Sequence, residues 1–158
     1  MTHVLETAAQ VPDHGPLADA LKFRARLMDL TQASHDAALL PETPGGLDLP
    51  LRAVLAARMS RICRDEVLAA HYDGLAGDTP LAPLAQPDVR ADDARLATIL
   101  DYVDLVTRQP RDARPKTIDA LRQAGVEEGD VVRLAGLVAF VNYQLRVAHV
   151  LRVMGASA

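Results

Sequence analysis

LAARMSRICRDEVLAAHY, residues 55–72, decides how the chain is read. With the four residues before it, Leu51, Val54, Leu55, Met59 and Ile62 recur at helical spacing and share one face. Arg58 falls on that same face, seven residues after Leu51. An arginine on an apolar stripe finds a buried partner, snorkels to solvent, or serves a ligand, and the first two are the simpler readings. The stretch also holds the only cysteine, Cys63, with His71 eight residues further on. In one continuous helix that separation is roughly 12 Å of rise and roughly 80° of rotation, too far for a thiol–imidazole hydrogen bond, although a kink near Cys63 would change it. The spacing favours a small, buried, inert thiol at Cys63, with a one-cysteine peroxidatic or redox-sensing thiol as the alternatives.

Outward from this stretch the chain reads as helix after helix. Towards the N-terminus, PLADALKFRARLMDLTQASHDAALL from Pro16 places Leu17, Leu21, Leu27, Leu30 and Ala38 at near-helical spacing, which predicts one long amphipathic helix. PETPGG breaks it before the helix that begins near Pro50. Towards the C-terminus, DGLAGD ends the helix that carries His71, and TPLAPLAQP forms a loop. DDARLATILDYVDLVTRQP is a further amphipathic helix stopped at Pro110. A short helix follows, capped by Thr117 and closed by Gly125. The last helix, roughly residues 127–154, is apolar nearly all round between Leu134 and Leu145, as a central or subunit-interface helix would be. Its uncharged run between Arg133 and Arg146 is about a dozen residues, short for a bilayer span.

Composition agrees with an all-α fold. The chain has 158 residues, 49% of them hydrophobic but only 3% aromatic, and Ala, Leu and Val supply the apolar content. No segment alternates with period two. We expect residues 1–15 to be an N-terminal arm, frayed or docked on a partner subunit, and residues 16–158 to be a single helical domain. The formal charge of −4 gives no basic footprint for nucleic acid. A single cysteine and an N-terminus without a signal-peptide pattern predict a cytoplasmic protein without a membrane anchor. No ligand spacing for a metal is present, and no cofactor is implied.

Three local patterns, LAARMSRICRDEVLAAHY, ILDYVDLVTRQP with IDALRQAGVEEGDVV, and LVAFVNYQLRVAHVL, occur in an order that resembles the AhpD-like superfamily, which includes alkylhydroperoxidase D and carboxymuconolactone decarboxylase, and within it the peroxidase-related branch. The resemblance implies an AhpD-like helical bundle and homo-oligomers that bury these helices against one another. Peroxidases of the family use a CxxC pair at a helix start, a histidine one turn later, and a relay carboxylate on the preceding helix. Counting back from His71, the cysteine positions fall on Arg64 and Val67 and the carboxylate on Arg52. Counting forward from Arg58 they fall on Asp65, Leu68 and Ala53. Neither register restores the dithiol site, and only His71 matches.

A second constellation lies on the last helix, where Asn142, Arg146 and His149 share one face at i, i+4 and i+7. One reading is a pocket in which Arg146 holds a small anionic or lactone-like ligand, Asn142 orients it, and His71 or His149 exchanges a proton, with Arg58 as a further ligand contact. The other is an inter-subunit polar network with Asp101 or Asp104. The functional expectation is therefore a protein that has lost the dithiol site, and that binds a small molecule or catalyses a non-redox proton transfer around His71. A non-catalytic partner subunit, and an antioxidant enzyme using Cys63 alone, are the alternatives.

Overall fold

The computed structural model describes residues 3–156, and among them are eight α-helices, two short 3-10 turns and no strand. The all-α expectation holds. The helices are α1 (Val4–Ala9), α2 (Pro16–Phe23), α3 (Ala25–Leu39), α4 (Leu49–Ile62), α5 (Glu66–Ala76), α6 (Ala94–Arg108), α7 (Pro115–Gln123) and α8 (Glu128–Ala156). The long α8 is the spine, with α1, α3, α4, α6 and α7 packed along it. Leu134, Leu137, Val138, Val141, Leu145, Ala148 and Leu151 form its buried side. By length and composition alone α8 could cross a bilayer, yet 44% of its most apolar window is buried inside the bundle. The short uncharged run therefore understated how apolar the whole helix is.

Three expectations are corrected. The arm is not frayed: α1 buries Leu5, Ala8 and Ala9 against α8 and α3 of its own chain. The long helix from Pro16 is two, broken at Arg24, and the break turns Leu27 and Leu30 outward so that both are exposed. Thr117 sits not at the cap but in the first turn of α7, which starts at Pro115, and its Oγ1 accepts the Arg114 N–H at 3.2 Å. Gly125 does close α7, with φ of 82°.

Buried guanidiniums fix the long loops. Arg58 is fully buried; it pairs with Asp104 through Nε at 2.6 Å and donates to the carbonyls of Leu84, Gln86, Pro87 and Val89. It pins the proline-rich loop to α4 and α6, so its five N–H donors are occupied and it faces no cavity. The reading of Arg58 as a ligand contact is corrected accordingly. Arg52 donates to Leu47, Ala38 and Pro44 carbonyls at 2.8–2.9 Å and closes the α3–α4 loop. In that loop Gly46 donates its N–H to both carboxylate oxygens of Asp130, an approach so close that a Cβ would collide with Asp130.

Candidate functional site

The turn that joins α4 to α5 sets up the site. Cys63 caps α4, Arg64 follows in the left-handed region at φ of 60°, and Asp65 caps α5 by accepting the Leu68 N–H at 3.0 Å. The Asp65 N–H reaches the Ser60 carbonyl at 2.9 Å and the Arg64 N–H reaches that of Arg61 at 3.0 Å, the paired bonds of a Schellman turn. A fork from α8 locks the turn in place. Arg152 donates to both Asp65 oxygens at 2.8 and 2.9 Å and to the Ala8 carbonyl of α1 at 2.7 and 2.9 Å.

Between this turn, the end of α6 and α8 lies a cavity of about 460 Å³. Cys63, Asn142, Arg146 and His149 all line it, together with Arg64, Thr107, Leu145, Val150 and the Asp65–Arg152 pair. The structure thus brings together four residues named from sequence, one from the α4–α5 turn and three from α8, two segments about eighty residues apart. His71 is not among them. Cys63 is exposed at the rim rather than buried, because the helix ends at Ile62 and the turn carries it outward. That corrects the expectation of a packed, inert side chain.

The charge balance of the cavity is positive in a chain whose net charge is negative. Asp65 is matched by Arg152. Arg64, Arg108 and Arg146 have no acidic partner among the described residues; Arg146 makes one bond, from Nη1 to the Asn142 carbonyl at 3.2 Å. Within the chain Asp101 and Asp104 are bound to Arg90 and Arg58. Asn142 donates Nδ2 to the Val138 carbonyl at 3.0 Å, and its Oδ1 has no donor among the described residues. Thr107 is 8% exposed, and its buried hydroxyl has no hydrogen-bond partner. Burial pushes the Cys63 thiol up from its ordinary value; Arg146 and Arg108 pull it down and Asp65 pushes it up further. Desolvation is the largest of these effects, so the thiol is a weaker acid than an ordinary cysteine.

His71 belongs to a different cluster, on the far side of α5. Its Nε2 lies 3.2 Å from Nε2 of His35, whose Nδ1 lies 2.9 Å from the Asp36 carboxylate. The His35 hydrogen bond holds the Asp36 carboxyl below its usual range. In the tautomer where His35 Nδ1–H donates to Asp36 and His35 Nε2 accepts from His71, the free lone pair of His71 is on Nδ1. Burial, and then His35, lower the His71 pKa. A small cavity of about 140 Å³, lined by Val4, Thr7, Ala8 and Val67, opens on the ring. The sequence reading missed His35 and Asp36, which lie on α3, and also Arg64, Thr107 and Arg108. Nothing in local spacing marks them, because the chain brings them to their sites only by tertiary packing. No group of three or more histidine, cysteine or carboxylate side chains among the described residues is placed to hold a metal.

No protein-family model and no curated protein matches the chain. A solved structure does: an uncharacterized peroxidase-related protein from Silicibacter sp. TM1040, with a TM-score of 0.69 over 91% of this chain and 88% of that one, at 22% identity. At that identity the likeness shows a shared fold alone.

Proposed function

We propose that the protein is an AhpD-like helical protein without the dithiol site, which binds a small organic anion in the cavity between the α4–α5 turn, α6 and α8. The carrying observation is that the guanidiniums of Arg64 and Arg146, without acidic partners among the described residues, line a cavity of a net acidic protein, with Arg108 near enough to act on the Cys63 thiol. Arg146 anchors the anion, while Asn142 Oδ1 and the Thr107 hydroxyl favour a ligand that also carries a hydrogen-bond donor. Leu145 and Val150 supply an apolar wall. Dithiol peroxidase turnover does not fit, since the chain has no second cysteine to resolve a sulfenic acid. The test is a thermal-shift titration with short dicarboxylates and their diamides. The acids should stabilise the wild type and the diamides should not. Arg146→Gln should weaken the effect about ten-fold or more, the worth of a charged hydrogen bond; equal response to acids and diamides would refute the reading.

A second reading keeps non-redox proton transfer at His71, favoured by the Asp36–His35–His71 chain, which leaves a neutral, ring-supported base open to a cavity. Turnover that His71→Asn abolishes and Arg146→Gln spares would select it, and binding without turnover would make the protein a binding module. We further propose a homo-oligomer that meets along the α3–α8 groove. There Leu27, Leu30, Phe140 and Tyr143 leave an uncharged face partly open to solvent, continued by Ala37, Pro41 and Gly136 as far as Arg133. The small residues allow close approach of a second copy's helix.

A further inference from the structure

We propose that the cavity captures anionic disulfides covalently: small disulfides whose arms end in carboxylates are held by Arg146 and Arg64 and are joined to Cys63 as a mixed disulfide. The inference rests on the anion-site reading above and adds a reaction to it. Cys63 is the only thiol in the chain and stands on the rim of the one cavity that gathers unpaired guanidiniums among the described residues. Its backbone is held by the Schellman turn and, through Asp65, by Arg152, and Arg146, on the same cavity wall, is near enough to act on the charge of its thiol. Thr107 also lines the cavity, and its buried hydroxyl has no partner among the described residues, which marks a polar group of the protein for a ligand carboxylate to satisfy. The volume lies within the roughly 300–1,000 Å³ range of small-molecule sites, enough for one arm of such a disulfide.

The chemistry balances without a further reagent. Cys63 loses its S–H proton to solvent or to the exposed His149 on the same rim, and the thiolate attacks one sulfur of R–S–S–R. The Cys63–sulfur bond forms as the old S–S bond breaks, and the leaving thiolate takes up a proton to become one equivalent of RSH. Cys63 is oxidised to the mixed disulfide and the released arm is reduced. With no second cysteine to expel the bound arm, the adduct persists until an external thiol removes it. Because the free thiol is a weaker acid than an ordinary cysteine, selectivity comes from concentrating the disulfide at the sulfur rather than from thiolate content.

The experiment follows adduct formation by intact mass with three disulfides, dianionic dithiodipropionate, neutral bis(2-hydroxyethyl) disulfide and dicationic cystamine. Each rate is taken relative to the same disulfide reacting with free cysteine, with Cys63→Ser as the unreactive control. Dithiodipropionate should react about ten-fold or more faster than cystamine on this relative scale, from attraction on one side and repulsion on the other. Adipate, which has the carboxylates but no sulfur, should protect Cys63. In Arg146→Gln the preference should shrink to within about two-fold. Equal relative rates for the three disulfides, with adipate still bound in a direct titration, would overturn covalent capture and leave the anion site standing. Loss of adipate binding as well would overturn both.

Discussion

Arg64 carries both a structural cost and a functional charge. A non-glycine residue in the left-handed region costs about 1 kcal/mol, and Arg64 sits there at the tightest point of the α4–α5 turn. Arg64→Gly should therefore raise stability by about 1 kcal/mol in denaturant melts while weakening anion binding. A variant that gained affinity, or that lost stability, would show that the guanidinium serves the turn instead. Arg58 behaves oppositely. Replacing it with Met strips partners from Asp104 and several carbonyls at once and should cost about 3–5 kcal/mol, seen as a large drop in the denaturant midpoint. Sequence could flag Arg58 as anomalous because a charge interrupts an apolar face, but not which of its three fates applied. That depended on Asp104 and a loop some thirty residues away. Cys63 was misjudged for a related reason: helical periodicity assigns burial only while the helix continues, and here it ends one residue earlier.

At the level of elements, α1 and α3 show where pattern reading succeeds and where it stops. The helices, their loop breaks at the PETPGG and proline-rich segments, and the glycine that ends α7 were all legible, since each rests on local chemistry. The break at Arg24 was not, because no proline or glycine marks it. Docking of α1 was hidden because six residues carry little periodicity. That docking places α1 over His71, and so it should respond to acid. The folded-state pKa of His71 is lowered by burial and by His35, so below pH 6.5 the unfolded chain takes up the proton first. The stabilising contribution of the neutral ring is complete above pH 6.5 and fades as pH falls towards the folded value. His3 has the reverse sign: its hydrogen bonds to Glu6 and Asp29 raise its pKa, giving stability present below pH 6.5 and lost as pH rises through the folded value. Subtracting the two profiles isolates His71. His71→Asn should flatten the acid-side loss of stability in urea melts run from pH 7.5 downwards, and an unchanged slope would remove His71 from the account.

The whole molecule presents two faces of α8 to different tasks. Towards α3 the outward side around Phe140 and Tyr143 is uncharged, and sedimentation at micromolar concentration should show an oligomer that Leu30→Glu reduces to monomer without loss of helix signal; a monomeric wild type would contradict this. Towards α6 the same helix carries Asn142, Arg146 and His149 to the cavity. The polar stripe was readable as a stripe because three polar residues recur on one face of an apolar helix. What the stripe faces was not readable: Cys63 and Arg64 join it, and His71, the residue that family likeness put at the centre, lies elsewhere. The most direct test of that relocation is calorimetric titration of a short dicarboxylate into wild type, Arg146→Gln and His71→Asn. The account predicts that Arg146→Gln loses affinity by about ten-fold or more while His71→Asn binds as the wild type does. Binding that survives in Arg146→Gln and disappears in His71→Asn would contradict it and return the site to the histidine.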